Sequence, residues 1–346
     1  MKARPPGAVD NQPIANDEVV HGRQATTVPR VVVGAAADSV YRDAMRWWVV
    51  LCVLLSRPAL AGESRFYFSG DGTLRLHHAH FAGEVLEVRY RQADGSYDPA
   101  ALKQIAHFFR NRTDGEQGTV SLRLIELLDY VQDRYRPKRM TLVSGYRSPQ
   151  FNQSLRAGGR KVAEASVHTE GLAADVQLAG LKLRPVWNQL RAEKTGGVGL
   201  YAGEGFIHLD AGQPRFWEAA TSGVDKNLAK ENARLFARTE FDRYATLDGA
   251  AIRLHSVTAL PLAIARTAHL GDAALTLEPR SSFAHLEGDC WVWRVPPESY
   301  ELGVSSVIAA PTQPMPIRLS TCEPRIGATP AEVLTNPIER LAVPPP

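Results

Sequence analysis

Residues 140–149, MTLVSGYRSP, set a short apolar run against an abrupt polar stop. Met140 to Val143 is too short for a helix and reads as a buried strand, ending at Ser144-Gly145. Upstream, a helix is expected from about Ser121 to Tyr135, because Leu124, Ile125, Leu128 and Val131 recur on one helical face. An earlier helix starts with Asp98 as N-cap and Pro99 at the first helical position, with Leu102, Ile105, Ala106 and Phe109 as its apolar stripe. From Phe66 to Tyr90 the residues alternate and are broken by Gly70-Asp71-Gly72 and Ala82-Gly83, the pattern of a small antiparallel meander. Downstream, Ala173 to Leu178 and Phe206 to Leu209 read as short strands. Strands and helices without regular alternation give an α+β class, a small mixed or antiparallel sheet with flanking helices.

After Trp217 the character changes. A polar helical stretch is expected from about Asp225 to Phe241, followed by β-like, Pro-rich sequence. The chain therefore divides into a catalytic-sized region at 62–220, a helical linker at 221–245 and a β-rich C-terminal region at 246–346. The tail from Leu341 to Pro346 is expected to be disordered.

The N-terminus carries a different signal. Met45-Arg46 leads into nine apolar residues, Trp47 to Leu55, and then into Ala59-Leu60-Ala61. A positive residue, a short apolar core and a small-x-small site outline a secretory signal peptide over 45–61, cleaved after Ala61. Nine apolar residues fall well short of the roughly 20 needed to span a bilayer. Residues 1–44, polar and without period, read as an extension ahead of the true start at Met45.

Composition narrows the function classes. With 44% hydrophobic and 22% charged residues the chain is an ordinary globular one, and a net charge of +3 without a dense basic patch argues against a nucleic-acid partner. Removal of the signal would take Cys52 and leave Cys290 and Cys322. An even pair in an oxidising compartment fits a disulfide; two unpaired buried thiols are the alternative.

Three segments concentrate the chemically active residues: 144–149, 166–175 (SVHTEGLAAD) and 196–212 (GGVGLYAGEGFIHLDAG). His168 and Asp175 flank Gly171, where a turn can fold both side chains towards one point, and His208 lies on a strand. Two imidazoles and a carboxylate suit a catalytic zinc whose fourth position is left to water. The competing reading makes His208 a core histidine hydrogen-bonded to Asp210, and spacing alone does not choose between them. His77, His78 and His80 have no acidic ligand at fixed spacing and read as polar side chains turned to solvent.

The strings SGYRSPQFNQSLRAGG, SVHTEGLAADV and GGVGLYAGEGFIHLDAGQPRFW, in that order, resemble the MepK-like murein endopeptidases, which belong with the D-Ala-D-Ala zinc metallopeptidases of the VanX and hedgehog fold group. The resemblance covers about Phe66 to Trp217. It implies that His168, Asp175 and His208 hold one catalytic Zn2+ and that Arg147 and Ser166 line the substrate cleft. It further implies a peptidoglycan substrate, hydrolysed next to D-alanine or meso-diaminopimelate, and a periplasmic location. Relatives carry a general base three residues before the last histidine, here Gly205, or two before it, here Phe206. The candidates that remain are Asp210, which could equally orient His208, and Glu204. An endopeptidase is the leading expectation. D,D-carboxypeptidase trimming, a wall-binding protein with structural zinc and a general extracellular protease are the rivals.

Overall fold

The computed structural model describes residues 64–159, 166–219, 235–327 and 329–342. The expected extension and signal peptide, the first ten residues of the expected linker helix and the last four residues of the tail lie outside them.

Seven strands form the first sheet: β1 (Thr73–His78), β2 (Val85–Arg89), β3 (Arg139–Ser144), β4 (Ala173–Ala179), β5 (Gly197–Tyr201), β6 (Phe206–Asp210) and β7 (Arg215–Glu218). Their spatial order is β2-β1-β3-β4-β6-β5-β7. The sheet is mixed, since β1 with β3 and β5 with β7 are parallel while the other neighbours are antiparallel. The structure is thus of mixed α and β content with a large β-rich part, in line with the expected class.

Helices α1 (Pro99–Phe108) and α2 (Leu122–Tyr135) stand where their patterns placed them. Asp98 caps α1 by accepting from the amide of Ala100 at 2.8 Å, which satisfies one of the orphan donors of the first turn. All four apolar residues of the α2 stripe are buried against Leu74, Leu76, Leu142, Val176 and Ile207 of the sheet, in one continuous core. Burial of side chains of this size contributes roughly 1.5–3 kcal/mol each. Two helices, α3 (Pro149–Ala157) and α4 (Leu183–Glu193), have no counterpart in the sequence reading. Ser148 caps α3, its hydroxyl accepting from the amide of Phe151 at 3.2 Å.

From Phe236 onward the chain is β-structure. Ten strands, β8 (Phe236–Thr239), β9 (Arg243–Tyr244), β10 (Ala251–His255), β11 (Leu262–Leu270), β12 (Ala273–Pro279), β13 (Ala284–Glu287), β14 (Cys290–Trp293), β15 (Tyr300–Val304), β16 (Met315–Thr321) and β17 (Glu332–Arg340), form a second sheet. Its core includes Ile252, Leu254, Leu277, Trp293, Ile317 and Ile338. The expected helix to Phe241 is corrected here: residues 236–239 are an edge strand paired antiparallel with β10. Pairing with a neighbouring strand outweighs the weak helical pattern of that stretch. Cys290 and Cys322 are disulfide-bonded, with Cα atoms 6.5 Å apart, and the bond ties β14 to the segment after β16. Among the described residues no helix is long and apolar enough to cross a membrane.

Candidate metal centre

Two rows of side chains across the first sheet build the site. In the first, Ser144 of β3, Asp175 of β4, His208 of β6, Gly199 of β5 and Trp217 of β7 are consecutive register partners. In the second, Ala173, Asp210, Gly197 and Arg215 are partners in the same way. Directly opposed residues on one face of a sheet have Cβ atoms about 4.5–5.5 Å apart, so register alone brings Asp175 and His208 together. The glycines leave room for β7 to reach over β5. A Cβ on Gly199 would lie 2.5 Å from the Trp217 indole, and one on Gly197 would lie 2.1 Å from the Asp210 carboxylate. Trp217 accordingly rests beside the His208 ring, with centroids 5.0 Å apart, and Arg215 reaches Asp210 at 2.7 and 3.1 Å.

His168 arrives from the turn between α3 and β4. Its Nδ1 lies 2.7 Å from the carbonyl oxygen of Gly145, which can only accept, so Nδ1 carries the proton and Nε2 presents a lone pair. The amide of Arg147 donates to the carbonyl of His168 at 3.3 Å, so the 145–147 segment grips this residue at both ring and backbone. His208 is the mirror case. Its Nε2 donates to Asp210 Oδ2 at 2.9 Å, turning Nδ1 inward. Asp175 Oδ1 accepts from His208 Nδ1 at 2.8 Å and lies 3.4 Å from the unprotonated Nε2 of His168, and the two ring nitrogens lie 3.3 Å apart. Its other oxygen accepts from the Arg147 guanidinium at 2.8 Å. Every donor atom is thus held from behind by a named partner, the arrangement that orients metal ligands.

All three residues are buried. Burial, reinforced by the Arg147 charge, lowers the His168 imidazole to about 4, so it is neutral at physiological pH. Burial alone would raise Asp175, but His168, His208 and Arg147 outweigh it and hold the carboxyl well below its ordinary range. Burial pulls His208 down, yet the carboxylates of Asp175 and Asp210 on either side raise it on balance. Asp210, also buried, is pushed far down by Arg215 and His208 against its desolvation. A tetrahedral zinc with bonds of about 2.0–2.1 Å separates its donors by roughly 3.3 Å. The observed 3.3 and 3.4 Å separations match this, and the 2.8 Å one is a hydrogen bond that a metal would open. No fourth His, Cys, Asp or Glu joins the group among the described residues.

Arg147 lies beside this cluster, turned onto Asp175 and onto Ser144 Oγ at 3.0 Å. Ser166 is buried at the start of the His168 turn, its carbonyl accepting from Thr169. Glu204 is exposed in the turn between β5 and β6. His78 ends β1, its Nδ1 accepting from the amides of His80 and Phe81, which closes the following turn. Sequence reasoning missed Arg215, Trp217 and the Gly145 carbonyl. A signal for the first two exists: Gly197-x-Gly199, His208-x-Asp210 and Arg215-x-Trp217 share one two-residue spacing.

A second group, Asp71, Asp129 and Asp133, also brings carboxylate oxygens within 4.8 Å of one another. Three of these oxygens serve the backbone, Asp133 accepting from the amide of Asp71, Asp129 from that of Gly72 and Asp71 from that of Thr73, and Asp129 accepts as well from the Tyr90 hydroxyl. Together they shape the Gly70–Gly72 turn.

Comparison with known proteins converges on the first sheet. The family described as peptidoglycan L,D-endopeptidase MepK matches residues 69–217. The peptidoglycan L,D-endopeptidase MepK of Escherichia coli (strain K12) is 32% identical over 145 residues, 42% of this chain and 79% of that protein. The probable peptidoglycan L,D-endopeptidase MepK of Haemophilus influenzae is 31% identical over 138 residues, 39% of this chain and 74% of that protein. No solved structure matches. The matched span contains His168, Asp175, His208 and both glycine-gapped rows, and on that ground the chain belongs to the MepK family of peptidoglycan endopeptidases.

Proposed function

We propose that this chain is a zinc-dependent peptidoglycan peptidase that acts as an L,D-endopeptidase on peptide cross-links next to meso-diaminopimelate. The observation that carries the reading is the buried trio of His168, Asp175 and His208, with each donor atom aimed inward by a partner behind it and three protein donors in all. Structural zinc sites close all four positions with protein, whereas a set of three leaves one for chemistry. We assign this reaction to residues 62–220, with the second sheet following from Phe236.

Zinc held there supplies a Lewis acid for the scissile carbonyl and a water of lowered pKa. The residues of the chain do the rest. Gly145 and Asp210 fix the two imidazole tautomers. Arg147 orients Asp175 and brings a positive charge to the edge of the site, where a peptide carboxylate or a developing oxyanion can be neutralised. Ser166 lines the same edge. Asp210 acts as a positioning residue and not as the base, because Arg215, His208 and the amides of Gly197 and Gly212 occupy its oxygens and keep it ionised. Glu204, exposed on its turn, is the carboxylate left for proton transfer with a substrate in place. The Cys290–Cys322 bond suits the periplasm, an oxidising compartment.

The test is chromatography of purified peptidoglycan and isolated cross-linked muropeptides after incubation with the protein in zinc, with chelator, and with His168→Ala. Chelator-sensitive conversion of dimers to monomers, absent in the variant, is the expected result. Release of terminal D-alanine alone would move the assignment to a carboxypeptidase. Zinc binding without any change in the muropeptides would leave a wall-binding protein.

A further inference from the structure

The second sheet touches both places from which the ligand histidines reach the centre. Glu170 stands two residues after His168 in the same turn. It accepts from His255 Nδ1 at 2.7 Å and from the amide of Ser256 at 3.3 Å, at the end of β10. On the other side, Arg238 of β8 donates to the carbonyl of Gly212, the residue whose amide donates to Asp210 Oδ1 at 2.8 Å. Asp210 in turn accepts from His208 Nε2 at 2.9 Å. A continuous path of hydrogen bonds therefore runs from β8 to a ligand ring. The two contacts form one unit. Phe236 and His255 are register partners, their rings stack at 5.1 Å, and Phe236 inserts into the core of the first sheet. Behind them Arg123 of α2 bonds to Asp242 at 2.5 Å and to the carbonyl of Thr239 at 3.1 Å, and Asn336 of β17 donates to Asp242 at 2.8 Å.

We infer that the C-terminal sheet positions the metal centre, with Glu170–His255 holding the His168 turn and Arg238–Gly212 holding the loop behind Asp210 and His208. This rests on reading the cluster as a metal centre. The family match ends at residue 217, so the residues that make these contacts from the second sheet lie outside it. Simple covering of the first sheet would be achieved by apolar contact. Instead the imidazole–carboxylate hydrogen bond and the guanidinium–carbonyl bond fall on the two short segments adjoining the ligands. Directional bonds fix position and apolar contact does not. Arg238 and Glu170 are positioning residues: neither touches the ligand rings.

The test uses the full chain with Glu170→Gln, Arg238→Met, Arg238→Lys and, as a control on the same sheet, Arg253→Ala, whose partner Glu301 lies away from the centre. Zinc affinity is measured by competition with a chromophoric chelator, ligand geometry by the visible spectrum of the cobalt-substituted protein, and the His208–Asp210 bond by the Nε2 proton resonance of the metal-free protein. Expected is zinc binding weakened about tenfold in Glu170→Gln and Arg238→Met, the order found when outer-sphere partners of metal ligands are removed. Their cobalt spectra should shift and the imidazole resonance of Arg238→Met should broaden. Arg238→Lys, which keeps a donor, should recover most of the affinity, and Arg253→Ala should match the parent. Folded variants with unchanged affinity, spectrum and resonance would overturn the proposal. If Arg238→Met fails to fold, Glu170→Gln decides by itself. If the parent chain binds no zinc, the metal reading falls, and the imidazole resonance of Arg238→Lys against Arg238→Met decides whether the sheet positions these residues.

Discussion

Two trios of ligand-type side chains lie in the first sheet and its helices, and they differ in what stands behind the donor atoms. In His168, Asp175 and His208 the outer atom of each group is engaged by Gly145, Arg147 or Asp210, and the inner atoms converge. In Asp71, Asp129 and Asp133 one oxygen of each accepts from an amide of the 71–73 turn, that of Asp129 also from the Tyr90 hydroxyl, while Asp129 Oδ1 is buried without a partner. Proximity is common to both. Only the first trio mixes imidazole with carboxylate, which suits zinc at neutral pH.

The sharpest way to break this comparison is to remove one member from each trio. His168→Ala or Asp175→Ala should abolish stoichiometric zinc binding and lower muropeptide hydrolysis by about a thousandfold or more, because two donors hold zinc poorly and the reacting centre is lost. Asp133→Asn should leave zinc content and hydrolysis unchanged. Metal analysis of purified variants reads both; equal loss in the two trios would erase the distinction.

A second difference lies in protonation. Burial, with Asp133 and Asp71 nearby, raises Asp129 to about 7, whereas in the unfolded chain it titrates near 4. Between those values the folded state holds a proton that the unfolded state has released. The associated stability is therefore fully present below about pH 4 and is lost as pH rises through 7. Asp129→Asn, which keeps an acceptor for Gly72 and Tyr90 and places an amide beside Asp133, should remove that slope. It should raise stability at pH 8 relative to the parent by about 2–4 kcal/mol, with little gain at pH 4. Urea unfolding at the two pH values checks the sign. A parent with no such difference would mean that the trio is ionised throughout.

The smallest expected effect separates orientation from ligation. Asp210→Asn retains shape but weakens the hold on His208 Nε2, and should cost about 10–100-fold in zinc affinity while leaving one zinc bound at saturation. Loss of the pH-dependent limb of hydrolysis, with affinity unchanged, would instead return Asp210 to the role of base.

How much of this was legible beforehand depends on whether a signal was local. The α1 cap at Asp98, the α2 stripe and the strands around 140, 173 and 206 were read correctly because caps and periodicity are written in neighbouring residues. The convergence of His168, Asp175 and His208 was visible through spacing and resemblance. β5 was not, since Gly197-Val198-Gly199 has the composition of a loop and becomes a strand only between β6 and β7. α3 was hidden because Asn152 is the one residue in it that is fully covered. β8 was read as helix because its pairing partner, β10, lies more than ten residues away. The bonds of Arg147 to Asp175 and of Arg215 to Asp210 are likewise products of register, which only the assembled sheet displays.

That register has a consequence for how the sequence can change. The two-residue repeat shared by β5, β6 and β7 works like a reading frame: a point substitution alters one cell of the grid, but gaining or losing one residue between Gly212 and Arg215 moves every side chain of β7 to the opposite face. Phe216, now 36% exposed, would turn inward while Arg215 and Trp217 turned out together. The short loop before β7 should therefore be far less tolerant of length variation than of substitution, unlike a surface loop of the same composition.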